Sequence, residues 1–172
     1  MNIFSSRFAT ACLVGLMALA APAHALRLET TLASAPVAVS AEAAPVAAHA
    51  EPVVAYLRSA LGKRYRRGAT GEGQAYDCSG LVQQAYAAAG RELPRVTSQQ
   101  IQTGSVIPAT AAKAGDLLFY RFGRGASAPL HVAIYVGNGR AIHASVSHRI
   151  VREVNITTAV WAQHFVKAIR PA

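Results

Sequence analysis

The chain has 172 residues, of which 17 are Lys or Arg and 8 are Asp or Glu, so its formal net charge at pH 7 is +9. This length fits one domain with a tail, and the basic balance favours acidic polymers as partners. The sequence shows no zinc-finger spacing and no basic stripe interleaved with aromatic residues, and its N-terminus indicates export. Nucleic acid is therefore excluded as the expected partner.

The N-terminus has the order of a secretory signal peptide. Residues 1–7 are weakly basic, residues 8–21 are apolar, and Ala23-His24-Ala25 is a small-x-small cleavage site. The apolar run of about 14 residues is shorter than the ~20 residues that span a bilayer. We predict that residues 1–25 are removed, that the mature protein has no membrane span, and that it is exported to the periplasm, the extracellular space or the cell wall.

The rest of the chain divides into a spacer and a folded domain. Residues 26–50 are dominated by Ala, Val, Pro and Ser without a helical or strand period, which predicts a flexible Ala/Pro-rich spacer. The folded domain is then expected over residues 51–172. Caps, apolar periodicity and terminal glycines predict three helices in its first half, over residues 51–61, 78–89 and 97–103.

The second half of the domain is rich in β signals. Alternating apolar residues and glycine turns predict strands over residues 117–120, 131–136, 140–146, 150–154 and 165–169. N-terminal helices followed by an antiparallel β-meander make this an α+β domain, with the helices packed on the sheet.

One hairpin of this meander brings two histidines together. The alternate apolar residues of its two strands must share the buried face, which requires Ile134 to pair with Ile142. A three-residue loop over residues 137–139 achieves this pairing. His131 and His143 then lie on the opposite face, one diagonal apart, within reach of an imidazole–imidazole hydrogen bond.

A lone thiol lies at the start of the second helix. Signal cleavage removes Cys12 and leaves Cys78 without a disulfide partner in its own chain. The helix dipole is expected to lower the pKa of the Cys78 thiol. We predict that Cys78 is the nucleophile, that His131 is the base, and that His143 orients His131.

A zinc site is the alternative use of the same three side chains, since one thiolate and two imidazoles are possible ligands. A structural zinc site normally has a fourth ligand, and none is evident. The sequence therefore predicts neither a metal nor a cofactor. With His131 as the base, activity is expected at neutral to mildly alkaline pH.

Several short motifs occur together in a specific order. They are Asp77-Cys78-Ser79-Gly80-Leu81-Val82, Tyr65 with Gly68, Leu93-Pro94-Arg95, Gly115-Asp116-Leu117, His131-Val132-Ala133-Ile134-Tyr135 and Ile142-His143-Ala144. From about Val53 to Arg170 the chain resembles the NlpC-type family of cell-wall cysteine endopeptidases, which have a papain-like fold. The resemblance implies hydrolysis of the bond between D-glutamate and a diamino acid, usually meso-diaminopimelate, in peptidoglycan stem peptides. It also implies Cys78, His131 and His143 as the catalytic triad.

The resemblance extends to substrate binding. Tyr65 looks like the family tyrosine that lines the site and helps to bind the oxyanion, and Asp77 and Ser79 look like the residues that hold polar groups of the substrate. The residues by themselves allow Asp77 to be a helix N-cap and Tyr65 a packed aromatic side chain. Two departures from the family concern the cleft. Ala69 replaces a frequent second glycine, and an insertion over Arg121–Gly125 suggests a lid.

Two other functions fit the same motifs. One is a related cysteine amidase that cuts the link between the sugar chain and the first stem residue, and the other is a non-catalytic wall-binding module. The basic cluster Lys63, Arg64, Arg66 and Arg67 fits either contact with an anionic wall or a solvated helix end. The sequence carries no signal for an oligomeric state.

Overall fold

The computed structural model describes residues 44–123, 125 and 127–172, with residues 44–49 described by their backbone. The predicted signal peptide and residues 26–43 of the predicted spacer lie outside this range. No helix among the described residues combines the length and the apolar character needed to cross a bilayer.

The first helix, α1, covers Ala44–Ser59 and so begins before the expected start at Glu51. The prediction of a spacer up to residue 50 is therefore wrong for residues 44–50. Alanine, the strongest helix former, is the commonest residue there, and Pro45 stands in the first turn, where its missing N–H costs nothing. Pro52 lies inside the helix rather than at its start, so one backbone hydrogen bond of α1 is absent.

The remaining elements follow the predicted order. The other helices are α2 (Cys78–Ala87), α3 (Thr97–Gln100) and α4 (Ala159–His164). The strands are β1 (Arg64–Tyr65), β2 (Ala75–Tyr76), β3 (Ser105–Ile107), β4 (Leu117–Arg121), β5 (Leu130–Gly137), β6 (Arg140–Ala144), β7 (Val151–Asn155) and β8 (Phe165–Arg170). Four of these elements, β1, β2, β3 and α4, are too short to show a period and were not expected from the sequence.

Six strands form one antiparallel sheet in the order β3-β8-β4-β5-β6-β7, and β1 pairs with β2 in a separate parallel pair. The meander predicted for the second half is present from β4 to β7. The last strand, β8, returns to the other side of β4.

Both faces of the large sheet are covered. On one face, Val53 and Leu57 of α1 and Leu81 of α2 join a cluster with the apolar residues Leu117, Phe119, Val132, Ile134, Ile142 and Ile169 of the strands. On the other face, Leu118, Tyr120, Ala133, Ala141 and Ala168 form a second cluster, packed against Trp161 of α4 and Phe165. The histidines predicted to face away from the helices therefore lie in a second buried layer.

The hairpin between β5 and β6 has the predicted register but a different loop. Ile134 pairs with Ile142 as parity requires, whereas the connection is a two-residue turn at Asn138 and Gly139 with a bulge between Tyr135 and Gly137. Asn138 and Gly139 have φ values of 52° and 69°, the left-handed conformation that this tight turn needs. The prediction of a three-residue loop is wrong, because a bulge restores the parity that the tight turn would otherwise break.

Candidate active site

The proposed nucleophile is the first residue of α2. Asp77 is the N-cap of this helix, and the backbone N–H of Gly80 donates to its Oδ1 at 2.7 Å. The loop before β2 passes alongside, because the N–H of Gly68 donates to Asp77 Oδ2 at 2.8 Å and the N–H of Asp77 donates to the Ala69 carbonyl at 3.0 Å. These bonds hold Cys78 at the junction between the loop and the helix.

A partly buried ion pair fixes the N-cap. Arg95 donates to both oxygens of Asp77, at 2.7 and 3.0 Å, and to Ser79 Oγ at 3.0 Å. Burial by itself raises the pKa of Asp77, but hydrogen bonds from Arg95, Gly80 and Gly68 outweigh it and leave the pKa below its ordinary value. The N-cap interpretation of Asp77 is thus confirmed. Asp77 and Ser79 thus already have partners within the protein, and their part in substrate binding remains a prediction.

Arg95 is a site residue that the sequence indicates only as part of a motif. Arg95 and Asp77 are 18 positions apart in the chain and meet only in the folded structure. No local sequence pattern reveals their bidentate contact. Gln100 is a second residue of the site that the sequence did not predict. It is fully buried, and its Nε2 donates to the carbonyls of Ser79 at 3.0 Å and Pro94 at 2.8 Å, which ties the first turn of α2 to the segment that carries Arg95.

The Cys78 thiol is half-buried and lies 3.8 Å from Thr97 Oγ1. Burial raises the pKa of this thiol above its ordinary value. Hydrogen bonds from Thr97 and from the backbone of Val132 and Ser79 oppose the effect, while the charge of Asp77 adds to it. The predicted fall in pKa is therefore wrong. The adjacent carboxylate of Asp77 already accepts the first-turn N–H of Gly80. The helix start therefore stabilises the thiolate less than a helix start without this carboxylate would.

The two histidines meet as the strand parity predicts. His131 Nε2 and His143 Nδ1 are 2.8 Å apart, and the two rings are nearly perpendicular. Both side chains are at least nine-tenths buried. The backbone of Val132, next to His131, contacts the Cys78 sulfur, so the strand that carries His131 passes beside the thiol. Nδ1 of His131 is its one ring nitrogen without a hydrogen bond among the described residues.

Residues 62–170 match the model of the NlpC/P60 family. The chain belongs to the NlpC/P60 family. It is 39% identical over 108 residues to a probable endopeptidase of Corynebacterium glutamicum, covering 62% of this chain and 48% of the relative. It is 33% identical over 89 residues to a gamma-D-glutamyl-L-lysine dipeptidyl-peptidase of Bacillus subtilis, covering 52% of this chain and 30% of the relative. The chain thus spans less than half the length of these curated relatives.

The fold agrees with this membership. The crystal structure of the peptidoglycan hydrolase RipB from Mycobacterium tuberculosis superposes with a TM-score of 0.62 at 31% identity, covering 74% of this chain and 66% of that one. The papain-like α+β class expected from the sequence is confirmed, with helices α1 and α2 on one face of an antiparallel sheet.

Tyr65 of this NlpC/P60 domain lies beside the thiol. Its backbone N–H donates to the Arg149 carbonyl at 2.8 Å, and its side chain is half-buried. Burial raises the pKa of Tyr65, and the charges of Cys78 and Asp77 raise it further, so its hydroxyl remains protonated and able to donate. This position is compatible with the oxyanion role that the resemblance implies.

The basic cluster near Tyr65 is mostly solvated. Arg64 and Arg66 donate to the carbonyls of Gly73 and Glu72, and Arg67 is exposed. Such exposed contacts add little stability. The described residues contain no group of three or more His, Cys, Asp or Glu side chains arranged to hold a metal ion.

The insertion over Arg121–Gly125 contacts the histidine pair. The ring of Phe122 lies 5.8 Å from that of His131 and 5.1 Å from that of Trp161, measured between centroids. Arg124 lies outside the described residues. The lid role suggested from the sequence remains a prediction, but Phe122 now has an observed contact, and it is with the proposed base.

Burial of the histidine pair predicts that acid destabilises the protein. Desolvation lowers the pKa of His131 to about 4, and desolvation together with the nearby charges of His131, Arg152 and His148 lowers that of His143 to about 3. A histidine in the unfolded chain has a pKa near 6.5. Between pH 7 and pH 5 the unfolded chain therefore binds protons that the folded chain does not bind. Each histidine then lowers the free energy of unfolding by about 2 kcal/mol. Urea unfolding at the two pH values measures this loss.

The matched variant for this prediction is His143→Gln, which keeps a polar side chain but does not titrate. Its loss of stability between pH 7 and pH 5 should be about 2 kcal/mol smaller than that of the wild type. Equal losses in the two proteins would mean that His143 titrates normally in the folded state.

Proposed function

We propose that this protein is an exported peptidoglycan endopeptidase that cleaves stem peptides at the bond between D-glutamate and a diamino acid. The observation that carries the proposal is the 2.8 Å contact between His131 and His143, which occupies Nε2 of His131 and leaves its Nδ1 without a hydrogen bond among the described residues, in a strand whose next residue, Val132, contacts the Cys78 sulfur through its backbone. A thiol, a base and a group that orients the base are the parts that nucleophilic acyl transfer requires.

The chemistry follows from these positions. As the Cys78 sulfur attacks the scissile carbonyl carbon, His131 Nδ1 takes the thiol proton. The carbonyl oxygen becomes an oxyanion, which we expect the Tyr65 hydroxyl to stabilise. The tetrahedral intermediate collapses when His131 returns the proton to the leaving amine. Water, activated by His131, then hydrolyses the thioester and regenerates the thiol.

The side-chain hydrogen-bond partner of the resting thiol is a threonine. Cys78 Sγ contacts Thr97 Oγ1, and no hydrogen bond joins it to His131 among the described residues. We expect the thiol to exchange this contact for His131 when substrate binds. Catalytic hydrogen bonds are commonly loose before substrate binds and tighten afterwards.

The comparisons support the choice of substrate. RipB is named as a peptidoglycan hydrolase, and the Bacillus subtilis relative is named for a bond between γ-D-glutamate and a diamino acid, L-lysine. Export is supported by the signal-like sequence before residue 26 and by the net charge of +9, which favours contact with an anionic wall.

The test is digestion of purified stem peptides and of disaccharide-linked stem peptides, with mass analysis of the products. We expect a new amino terminus on the diamino acid and a carboxyl terminus on D-glutamate. Protein whose thiol has been alkylated supplies the blank. Release of an intact stem peptide with a free L-alanine amine would identify an amidase instead, and binding to the wall without any cleavage would identify a wall-binding module.

The pH dependence of cleavage follows from the low pKa of the base. His131 must be neutral to accept the thiol proton, and burial lowers its pKa to about 4. The acid limb of kcat/KM should therefore lie well below the ordinary histidine value of about 6.5, with more than half of the plateau remaining at pH 5.5. This extends the neutral to mildly alkaline range expected from the sequence toward acid. A limb at or above pH 6.5 would mean that the base is solvated in the working enzyme.

A further inference from the structure

One ring nitrogen beside the proposed base has no hydrogen-bond partner. His143 uses Nδ1 to contact His131, while its Nε2 is fully buried and unpaired among the described residues. Buried polar atoms are nearly always satisfied, so an unpaired one at a reactive site requires an explanation. The mechanism proposed above does not use this atom.

Two arrangements of the ring protons of His131 and His143 are possible, and they differ in whether the unpaired nitrogen carries a proton. Each neutral imidazole carries one N–H, and the 2.8 Å contact needs one donor and one acceptor. In the first arrangement, His131 Nε2–H donates to His143 Nδ1, so His143 has its proton on the buried Nε2 and His131 Nδ1 is free to act as a base. In the second arrangement, His143 Nδ1–H donates, so His131 has its proton on Nδ1 and cannot accept one from Cys78.

An indole ring lies against the His143 ring that carries the buried nitrogen. The rings of Trp161 and His143 are 5.2 Å apart between centroids and 89° apart in orientation. An aromatic face is electron-rich, so it attracts an N–H that points at it and repels a nitrogen lone pair. A perpendicular pair at this distance sets the edge of one ring against the face of the other. With the edge of His143 toward the indole, a proton on His143 Nε2 is favoured, which is the first arrangement.

We propose that Trp161 is a positioning residue whose indole face receives the Nε2–H of His143 and thereby keeps His131 Nδ1 free as the base. The inference rests on the proposed function, since the tautomer of His131 matters only if His131 accepts the thiol proton. The contact acts through two imidazoles, since the ring contacts of Trp161 are with His143, Tyr120 and Phe122.

Two other rings hold the indole in place. Tyr120 meets Trp161 at 4.7 Å and 86°, and Phe122 meets it at 5.1 Å and 89°. Tyr120 is only 2% exposed and pairs with His131 across the sheet, so this support belongs to the core. Phe122 contacts both Trp161 and His131, which gives the insertion a part in holding the histidine pair.

The first arm of the test reads the tautomer in the resting full chain and needs no substrate. Long-range 1H–15N correlation spectra of labelled protein distinguish a protonated ring nitrogen from an unprotonated one. We expect His143 to carry its proton on Nε2, with that proton shifted upfield by the indole ring. A wild-type protein with the proton on Nδ1 of His143 would overturn the proposal, whatever the enzyme cleaves.

The second arm compares substitutions in α4. Trp161→Leu keeps an apolar side chain without a π face, so kcat should fall about tenfold at unchanged KM and the His143 proton should shift toward Nδ1. Trp161→Phe keeps a smaller π face and should recover most of the rate and the Nε2 tautomer. Val160→Leu alters an exposed neighbour in the same helix and should change neither.

The outcomes separate the two proposals. An unchanged tautomer and kcat in a folded Trp161→Leu protein would overturn the role of Trp161 while leaving the endopeptidase intact. A wild-type protein that shows the Nε2 tautomer but cleaves no stem peptide would contradict the proposed function and leave the indole contact standing. If Trp161→Leu does not fold, the wild-type spectrum and Trp161→Phe still decide between the two arrangements.

Discussion

Replacing Cys78 with alanine should lower kcat for stem-peptide cleavage by about 10⁴-fold or more while leaving the fold intact. The thiol supplies the bond-forming atom, and groups that act as one catalytic unit lose nearly all of their effect when the nucleophile is removed. The side chain is only half-buried, and its side-chain hydrogen bond is the 3.8 Å contact with Thr97, so the free energy of unfolding should change by about 1 kcal/mol or less. Single-turnover kinetics and urea unfolding measure the two quantities.

Cys78→Ser is the matched control for this experiment. Its hydroxyl keeps a partner in Thr97 Oγ1 but is a weaker nucleophile, so the serine variant should also be inactive and as stable as the wild type. Substantial cleavage by either variant would rule out Cys78 as the nucleophile. A loss of rate accompanied by unfolding would place its role in packing rather than in chemistry.

Gly80→Ala should destabilise the protein by about 3 kcal/mol and lower kcat by about a hundredfold. Alanine in a helix is ordinarily favourable, so propensity by itself expects a gain of about 1 kcal/mol. Here a Cβ on residue 80 would lie 2.3 Å from the Ala69 carbonyl oxygen and 3.0 Å from Asp77 Oδ1. Both neighbours belong to the N-cap network beside Cys78, so relieving the clash must displace the loop or the first turn of α2.

The control for Gly80 is Gly73→Ala, which also replaces a glycine in the same region. A Cβ there meets nothing within 4 Å, and the cost of about 1 kcal/mol comes from its φ of 61°. Gly73→Ala should therefore keep the wild-type kcat. Thermal unfolding and kinetics of the two variants separate the clash from the general cost of losing a glycine, and a stabilised Gly80→Ala protein would contradict the close approach.

Strand parity by itself is enough to bring the two histidines together. Because side chains alternate across a strand, burial of Ile134 against Ile142 leaves only one face for His131 and His143. The turn itself was predicted wrongly, since a two-residue turn plus a bulge and a three-residue loop produce the same parity. Parity determines which residues share a face, and several backbone routes satisfy it.

The pKa predicted from the sequence was wrong in direction, whereas the strand register was right. A thiol at a helix start was expected to have a lowered pKa, but burial and the neighbouring charge of Asp77 raise it. Desolvation depends on how many atoms lie around a group, which is a property of the whole packed structure. For the same reason the pKa of His131 falls to about 4, which residue spacing could not show.

The sequence by itself determined the order of helices and strands, the family, and the register that joins His131 to His143. Each of these depends on local spacing, on alternation or on a motif read along the chain. Only the tertiary structure decided the start of α1 at Ala44, the clamp of Arg95 on Asp77, and the packing of Trp161 on His143. The last two are contacts between residues 18 positions apart in the chain, and their strength comes from the exclusion of water, which exists only once the layers have packed.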